Sequence, residues 1–193
     1  IEKLRERVPG MAIRTTFITG FPGETEDDHR QLLEFIDDMR FDMLGVFEYS
    51  QEEGTVAGTL EADPALAVPP EVKARRKDEI MSLQRDIAFE QAAFLAEQFD
   101  PADPLNTGVR FDVLIDEPAP DVDISGGVGK ANVYRGRCYF QAPMIDSVTF
   151  VASRERLAPG ELVRCVIVGS DGYDLVARPI TDLERRTPLT VVR

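Results

Sequence analysis

The sequence predicts an α/β part followed by an all-β part, with a long helix between them. Three observations carry this expectation. A strand–helix–strand unit fills the first fifty residues, helix-period apolar residues recur over about 70–98, and beyond Asn106 the apolar period drops to two.

The first stretch, Ile1 to Arg7, reads as the middle of an amphipathic helix, so the chain is expected to be a fragment of a longer protein. Ile13–Thr19 is β-rich and bounded by Gly20-Phe21-Pro22-Gly23, which predicts a strand. Thr25 can cap a following helix, with Glu26, Asp27 and Asp28 filling its first turn. Leu32, Leu33, Ile36 and Met39 then give a helix over about 26–40 with one buried face. Met43 to Tyr49 is a second strand. Strand, helix and strand this close together make a βαβ unit and so a parallel pair.

Residues 51–70 are rich in Gly, Pro, Glu and Ala and read as a surface loop. Pro69-Pro70 opens a long helix over about 70–98, with Ile80, Leu83, Ile87 and Phe94 on one side. Phe99 to Pro104 breaks it, and the domain boundary is placed there, giving domains 1–98 and 99–193. Val109, Phe111, Val113 and Ile115 alternate with Arg110, Asp112 and Leu114. Further strands are expected near 129–140, 147–152, 161–168 and 173–179, separated by Gly126-Gly127, Pro159-Gly160 and Asp171-Gly172. The last of these is a tight-hairpin signal. Five short strands without a helix suggest a small closed barrel of OB type.

Composition bounds the function. With 43% hydrophobic residues the chain can build a core, and it has no apolar run long enough to span a bilayer. No secretory leader is visible, and the two cysteines match neither a zinc pattern nor a disulfide framework, so a cytoplasmic protein is expected. Cys138 and Cys165 are expected as buried apolar groups. The net charge of −13 is uneven: residues 1–98 carry 11 basic and 21 acidic side chains, net −10, and residues 99–193 carry 11 and 14, net −3. Such a surface repels phosphate backbones and favours a basic partner, or serves solubility alone. His29, the single histidine, is expected to be exposed and silent.

The turn Gly20-Phe21-Pro22-Gly23-Glu24 sits where α/β proteins bind ligands. Phosphate is rejected, because there is no P-loop lysine and acidic residues already occupy the positive end of the next helix. Glycines there would let a flat apolar ligand approach the backbone. Either Phe17 or Ile18 must face the inside of the sheet, and Glu24 could orient the turn through backbone amides. A purely structural β-to-α turn is the competing reading.

The stretches "IRTTFITGFPGETEDD" and "RFDMLGVFEYSQEEGT" resemble the last βα units of the radical S-adenosylmethionine domain of methylthiotransferases. "GRCYFQAPMIDSVTFV" and "PGELVRCVIVGSDGYDLVA" resemble the TRAM domain that closes this family. The resemblance covers about residues 1–180. It implies the terminal units of a partial (βα)6 TIM-like barrel, then a five-stranded OB-like barrel used for substrate recognition. By match, Ile18, Gly20 and Glu24 fall in the fifth-strand motif that supports the cofactor adenine, and Val46, Phe47 and Tyr49 in the sixth. Arg14 would be a polar contact to the cofactor, with an ordinary surface arginine as the competing reading.

Two branches of the family differ in substrate, one modifying a tRNA adenosine and the other an aspartate on small-subunit ribosomal protein twelve. The tRNA branch tends to carry a basic Arg-Pro-Gly-Thr after the sixth strand, where this chain has Tyr49-Ser-Gln-Glu-Glu-Gly-Thr55. Glu52 and Glu53 would suit a basic protein loop and oppose RNA. Ala142-Pro-Met-Ile-Asp146 is similar to the ribosomal-protein branch, which places Asp146 among the recognition residues. Tyr134, Arg135 and Arg137 would form a local recognition spot, although solvated strand-end arginines are the plainer reading. The resemblance therefore implies an enzyme that methylthiolates the β-carbon of an aspartate on small-subunit ribosomal protein twelve. A monomer is expected, without membrane attachment and without nucleic acid as main ligand.

For the complete enzyme the resemblance implies S-adenosylmethionine and two [4Fe-4S] clusters. One cluster cleaves S-adenosylmethionine to a 5′-deoxyadenosyl radical that abstracts hydrogen, and the auxiliary cluster carries the transferred sulfur. This chain departs from the family by lacking a Cys-x-x-x-Cys-x-x-Cys, so no catalytic or metal-ligating residue is assigned to it and the fragment alone is expected to be inactive. The alternatives are a fragment of a tRNA adenosine methylthiotransferase, and an RNA-binding TRAM module without catalysis.

Overall fold

The computed structural model describes residues 1–122, 124 and 131–184. The chain divides into two units, Ile1–Ala88 and Phe89–Arg193.

The first unit opens with α1 (Glu2–Arg7), whose Arg5 donates to the carbonyl of Arg40 at 2.9 Å. That carbonyl lies past the end of α2 (Glu26–Met39), where helix carbonyls lack internal partners. β1 (Arg14–Thr19) and β2 (Met43–Glu48) pair in parallel, in register from Arg14↔Met43 to Thr19↔Glu48. Helix α2 starts where the sequence places it. Thr25 Oγ1 accepts from the Asp28 amide and Asp28 accepts from the Thr25 amide, a complete capping box. Residue periodicity then sets the faces. Phe17, Leu44 and Val46 point to one side of the sheet and pack with Ile36 and Phe41, and with Ile80 and Ile87 of α4 (Pro70–Glu97). Phe17, Phe35 and Phe41 meet edge to face, with ring centroids 5.9–6.4 Å apart.

The stretch read as a plain loop contains a short helix, α3 (Val56–Glu61), a correction to the expectation. Thr55 caps it by accepting from the Gly58 amide at 2.9 Å. Six residues with a glycine among them leave too short a periodic signal to stand out.

In the second unit, β3 (Arg110–Pro118), β4 (Asn132–Arg137), β5 (Thr149–Ser153), β6 (Leu162–Asp171) and β7 (Asp174–Pro179) close into a barrel in the order β3-β4-β5-β7-β6. All pairs are antiparallel except β5–β7. Val113, Ile115, Val151, Cys165, Ile167, Leu175 and Ala177 fill the interior, and Ala92, Leu95 and Ala96 from the end of α4 pack against it. Gly172 takes φ +58° at the first position of the two-residue β6–β7 loop, as primed hairpin turns require. A short helix after β7, α5 (Ile180–Glu184), was not expected. The Gly126-Gly127 turn, the start of the strand expected from 129, and residues 185–193 lie outside the described residues.

Candidate functional site

The end of β1 and the turn after it hold the first candidate site. Alternation along β1 leaves Arg14, Thr16 and Ile18 exposed, while Phe17 turns into the core. Ile18 pairs in register with Phe47, so the two side chains share a face; Ile18 is 58% exposed and Phe47 66%. Two large apolar side chains side by side in water on the face away from the helices form an apolar patch. Val46, expected with them, has its side chain on the opposite face, in the helix-covered core. It can offer a ligand on this face only its backbone.

The turn itself is fully engaged. One carboxylate oxygen of Glu24 accepts the amides of Gly20 and Phe21, and the other accepts the Thr19 hydroxyl at 3.3 Å and meets Arg76 at 3.3 Å. Glu24 therefore shapes the turn and has no oxygen left for a cofactor. Gly20 adopts φ +74°, and a Cβ there would lie 2.4 Å from Cγ of Lys73. The bare side of this glycine is taken by the Lys73 stem rather than left for a flat ligand. Tyr49 stacks edge to face with Phe21, centroids 5.4 Å apart, and Lys73 Nζ lies 5.1 Å above its ring.

The residues that hold this turn were missed in the sequence. Arg76 is 2% exposed and donates to the Glu24 carbonyl at 3.2 Å and to Glu26 at 2.9 Å. Arg75 and Arg76 together hold the Glu26 carboxyl down at about 2. His29 is a correction: it is 3% exposed, and its Nε2 lies 2.6 Å from a Glu79 oxygen. That contact, and then Arg75, lowers the Glu79 carboxyl below its ordinary range. Lys73, Arg75, Arg76 and Glu79 all lie in the first turns of α4. Their i, i+3 spacing from 73 to 76 and 79 was the available signal, and it reads as an ordinary solvated face without the tertiary context.

The second candidate site, on the barrel, is mostly structural. Tyr134 is 5% exposed and its hydroxyl accepts the Leu157 amide at 2.9 Å. Arg135 pairs with Glu117 at 3.2 Å and Arg137 with Asp116 at 3.1 Å, so the expected basic spot is neutralised across β3–β4. Asp146 accepts the Ala142 amide at 2.6 Å and closes its own loop. That loop exposes Met144 and Ile145, and Tyr139 beside it is also exposed. Glu52 and Glu53 are exposed in the loop after β2.

Cys138 and Cys165 are free and buried inside the barrel, and burial pushes their thiols up to about 11 and about 12. Protonated thiols in an apolar core are not cluster ligands. Among the described residues no group of three His, Cys, Asp or Glu is placed to hold a metal ion. No described helix is long and apolar enough to cross a membrane.

A βαβ unit with an uncovered apolar sheet face, followed by a closed five-stranded barrel, defines the class. Residues 107–180, which span all five barrel strands, match the family described as TRAM domain. Along nearly its whole length the chain is similar to ribosomal protein uS12 methylthiotransferases. It is 38% identical to that of Koribacter versatilis over 181 residues, 92% of this chain and 31% of the relative. It is 41% identical to that of Shewanella amazonensis over 177 residues, 92% and 32%. With that of Symbiobacterium thermophilum it shares 39% over 193 residues, 99% and 34%. The chain spans about a third of the length of the curated relatives it matches.

Proposed function

We propose that this chain is the part of a radical S-adenosylmethionine methylthiotransferase that supplies one wall of the cofactor site and the barrel that recognises the protein substrate, ribosomal protein uS12. The observation that carries the reading is the exposed, in-register pair Ile18 and Phe47 on the open face of β1–β2, in a chain similar to methylthiotransferases over 92% of its length. A flat adenine gains by covering such a pair, and Arg14 on the same face adds a polar contact at its edge. S-adenosylmethionine fits this face. A [4Fe-4S] cluster does not fit the cysteines present, so no step involving a cluster is assigned to residues of this chain.

Glu52 and Glu53 extend an acidic loop from the end of β2, and a basic protein segment is the complementary partner. The paired state of Arg135 and Arg137 supports protein over RNA recognition by the barrel. Titration of the chain with S-adenosylhomocysteine, followed by amide chemical shifts, tests the cofactor reading. Shifts should centre on residues 14–18 and 45–47, and Phe47→Asp should weaken binding at least tenfold. Shifts confined to the barrel would overturn it.

A further inference from the structure

We propose that Lys73 is a positioning residue that sets the Gly20–Glu24 turn, the end of β2 and the acidic loop in one geometry. The inference rests on reading the open face of β1–β2 as a cofactor wall.

Lys73 is 8% exposed, so a charged ammonium is held almost out of water. A long cation seldom pays for such burial through stability alone, since an apolar residue of similar volume often does as well. What Lys73 touches is therefore informative. Its Cγ and Cδ occupy the place a Gly20 Cβ would take, 2.4 and 2.9 Å away. Its Nζ donates to Glu61 of α3 at 2.7 Å and to the Tyr49 carbonyl at 3.4 Å, and lies over the Tyr49 ring. One side chain thus meets the turn after β1, the residue after β2 and the end of α3.

Helix α3 in turn carries the acidic loop. Gln51 Nε2 donates to the Gly58 carbonyl at 2.8 Å, and the Thr55 hydroxyl donates to the Glu52 carbonyl at 2.8 Å while accepting from Gly58. Residues 51–58 are therefore one bonded piece, and Glu61 is three residues further along the same helix. The chain of contacts runs from the Glu52 backbone through α3 and Glu61 to Lys73, and from Lys73 to Gly20. The two parts of Lys73 do separate jobs. The stem fixes the turn, and the ammonium fixes the loop.

Two variants separate these jobs, read by residue-resolved amide hydrogen exchange with thermal unfolding as control. Lys73→Met with Glu61→Leu keeps the stem, removes the charge and leaves no carboxylate stranded. Exchange at Gly58 and Thr59 should speed at least tenfold, with Gly20 and Phe17 unchanged and the unfolding midpoint close to wild type. Lys73→Ala also removes the stem, and exchange at Gly20 should then speed at least tenfold while Phe17 stays protected. Unchanged exchange in both variants, or speeding at every amide in step with a lowered midpoint, would overturn the proposal. The same samples with S-adenosylhomocysteine keep the two readings apart. Protection of Ile18 and Phe47 by the ligand in wild type, weakened in Lys73→Ala, supports both, whereas no protection in wild type sinks the cofactor reading and leaves the exchange results to decide Lys73.

Discussion

At residue scale, Gly20 shows how a motif can be right in place and different in purpose. The sequence suggests a glycine that opens the backbone to a flat ligand. The structure puts the Lys73 stem in that space and a positive φ at the residue. Both features penalise any side chain. Gly20→Ala should therefore cost about 2–4 kcal/mol in urea unfolding, from the strained φ and the displaced lysine. A cost under about 1 kcal/mol would mean that the turn relaxes freely and that Lys73 does not press on it. Ile18 and Val46 make the complementary point. Strand alternation settles that one of Phe17 and Ile18 faces inward, but the helix-covered side is known only once α2 and α4 are in place. A motif match therefore grouped Val46 with Phe47 although their side chains leave opposite faces.

At element scale, α2 and the start of α4 are tied by ion pairs that the sequence shows only as separate charges. Glu26 meets Arg75 and Arg76, and Glu79 meets His29 and Arg75. The carboxyls of Glu26 and Glu79 are both depressed, Glu26 to about 2 from an ordinary 4.5. The unfolded chain therefore binds more protons than the folded one at acid pH, so stability is full above about pH 5 and falls as pH drops towards 2. The thermal midpoint, measured from pH 6 to pH 3, should fall, and Glu79→Gln should reduce the drop between pH 5 and pH 3. A midpoint equally pH-dependent in that variant would show that the loss comes from carboxylates elsewhere. Helix α2 was legible to its cap because Thr25 and Asp28 are local chemistry. Helix α3 was not, and His29 was misplaced, because its partner Glu79 lies fifty residues away in the sequence.

At the scale of the whole molecule, the order of elements was legible from periodicity: parallel strands around a helix, a long helix, then alternating strands that close into a barrel. The roles of the barrel residues expected to form a recognition spot were less so. Tyr134, Arg135, Arg137 and Asp146 are polar residues whose partners lie across strands or within a loop, and pairing across a barrel is invisible in a linear string. With those groups engaged, the proposed basic partner is left with exposed Glu52 and Glu53, in a chain of net charge −13. The proposed partner of this chain is a basic protein rather than RNA. The most direct measurement is the affinity of the intact chain for purified uS12 and for a structured RNA, each at low and high salt. Binding to uS12 should weaken with salt, fall roughly tenfold in Glu52→Arg/Glu53→Arg, and exceed RNA binding at both salt levels. Tight, steeply salt-dependent RNA binding, with uS12 affinity untouched by the charge reversal, would contradict it.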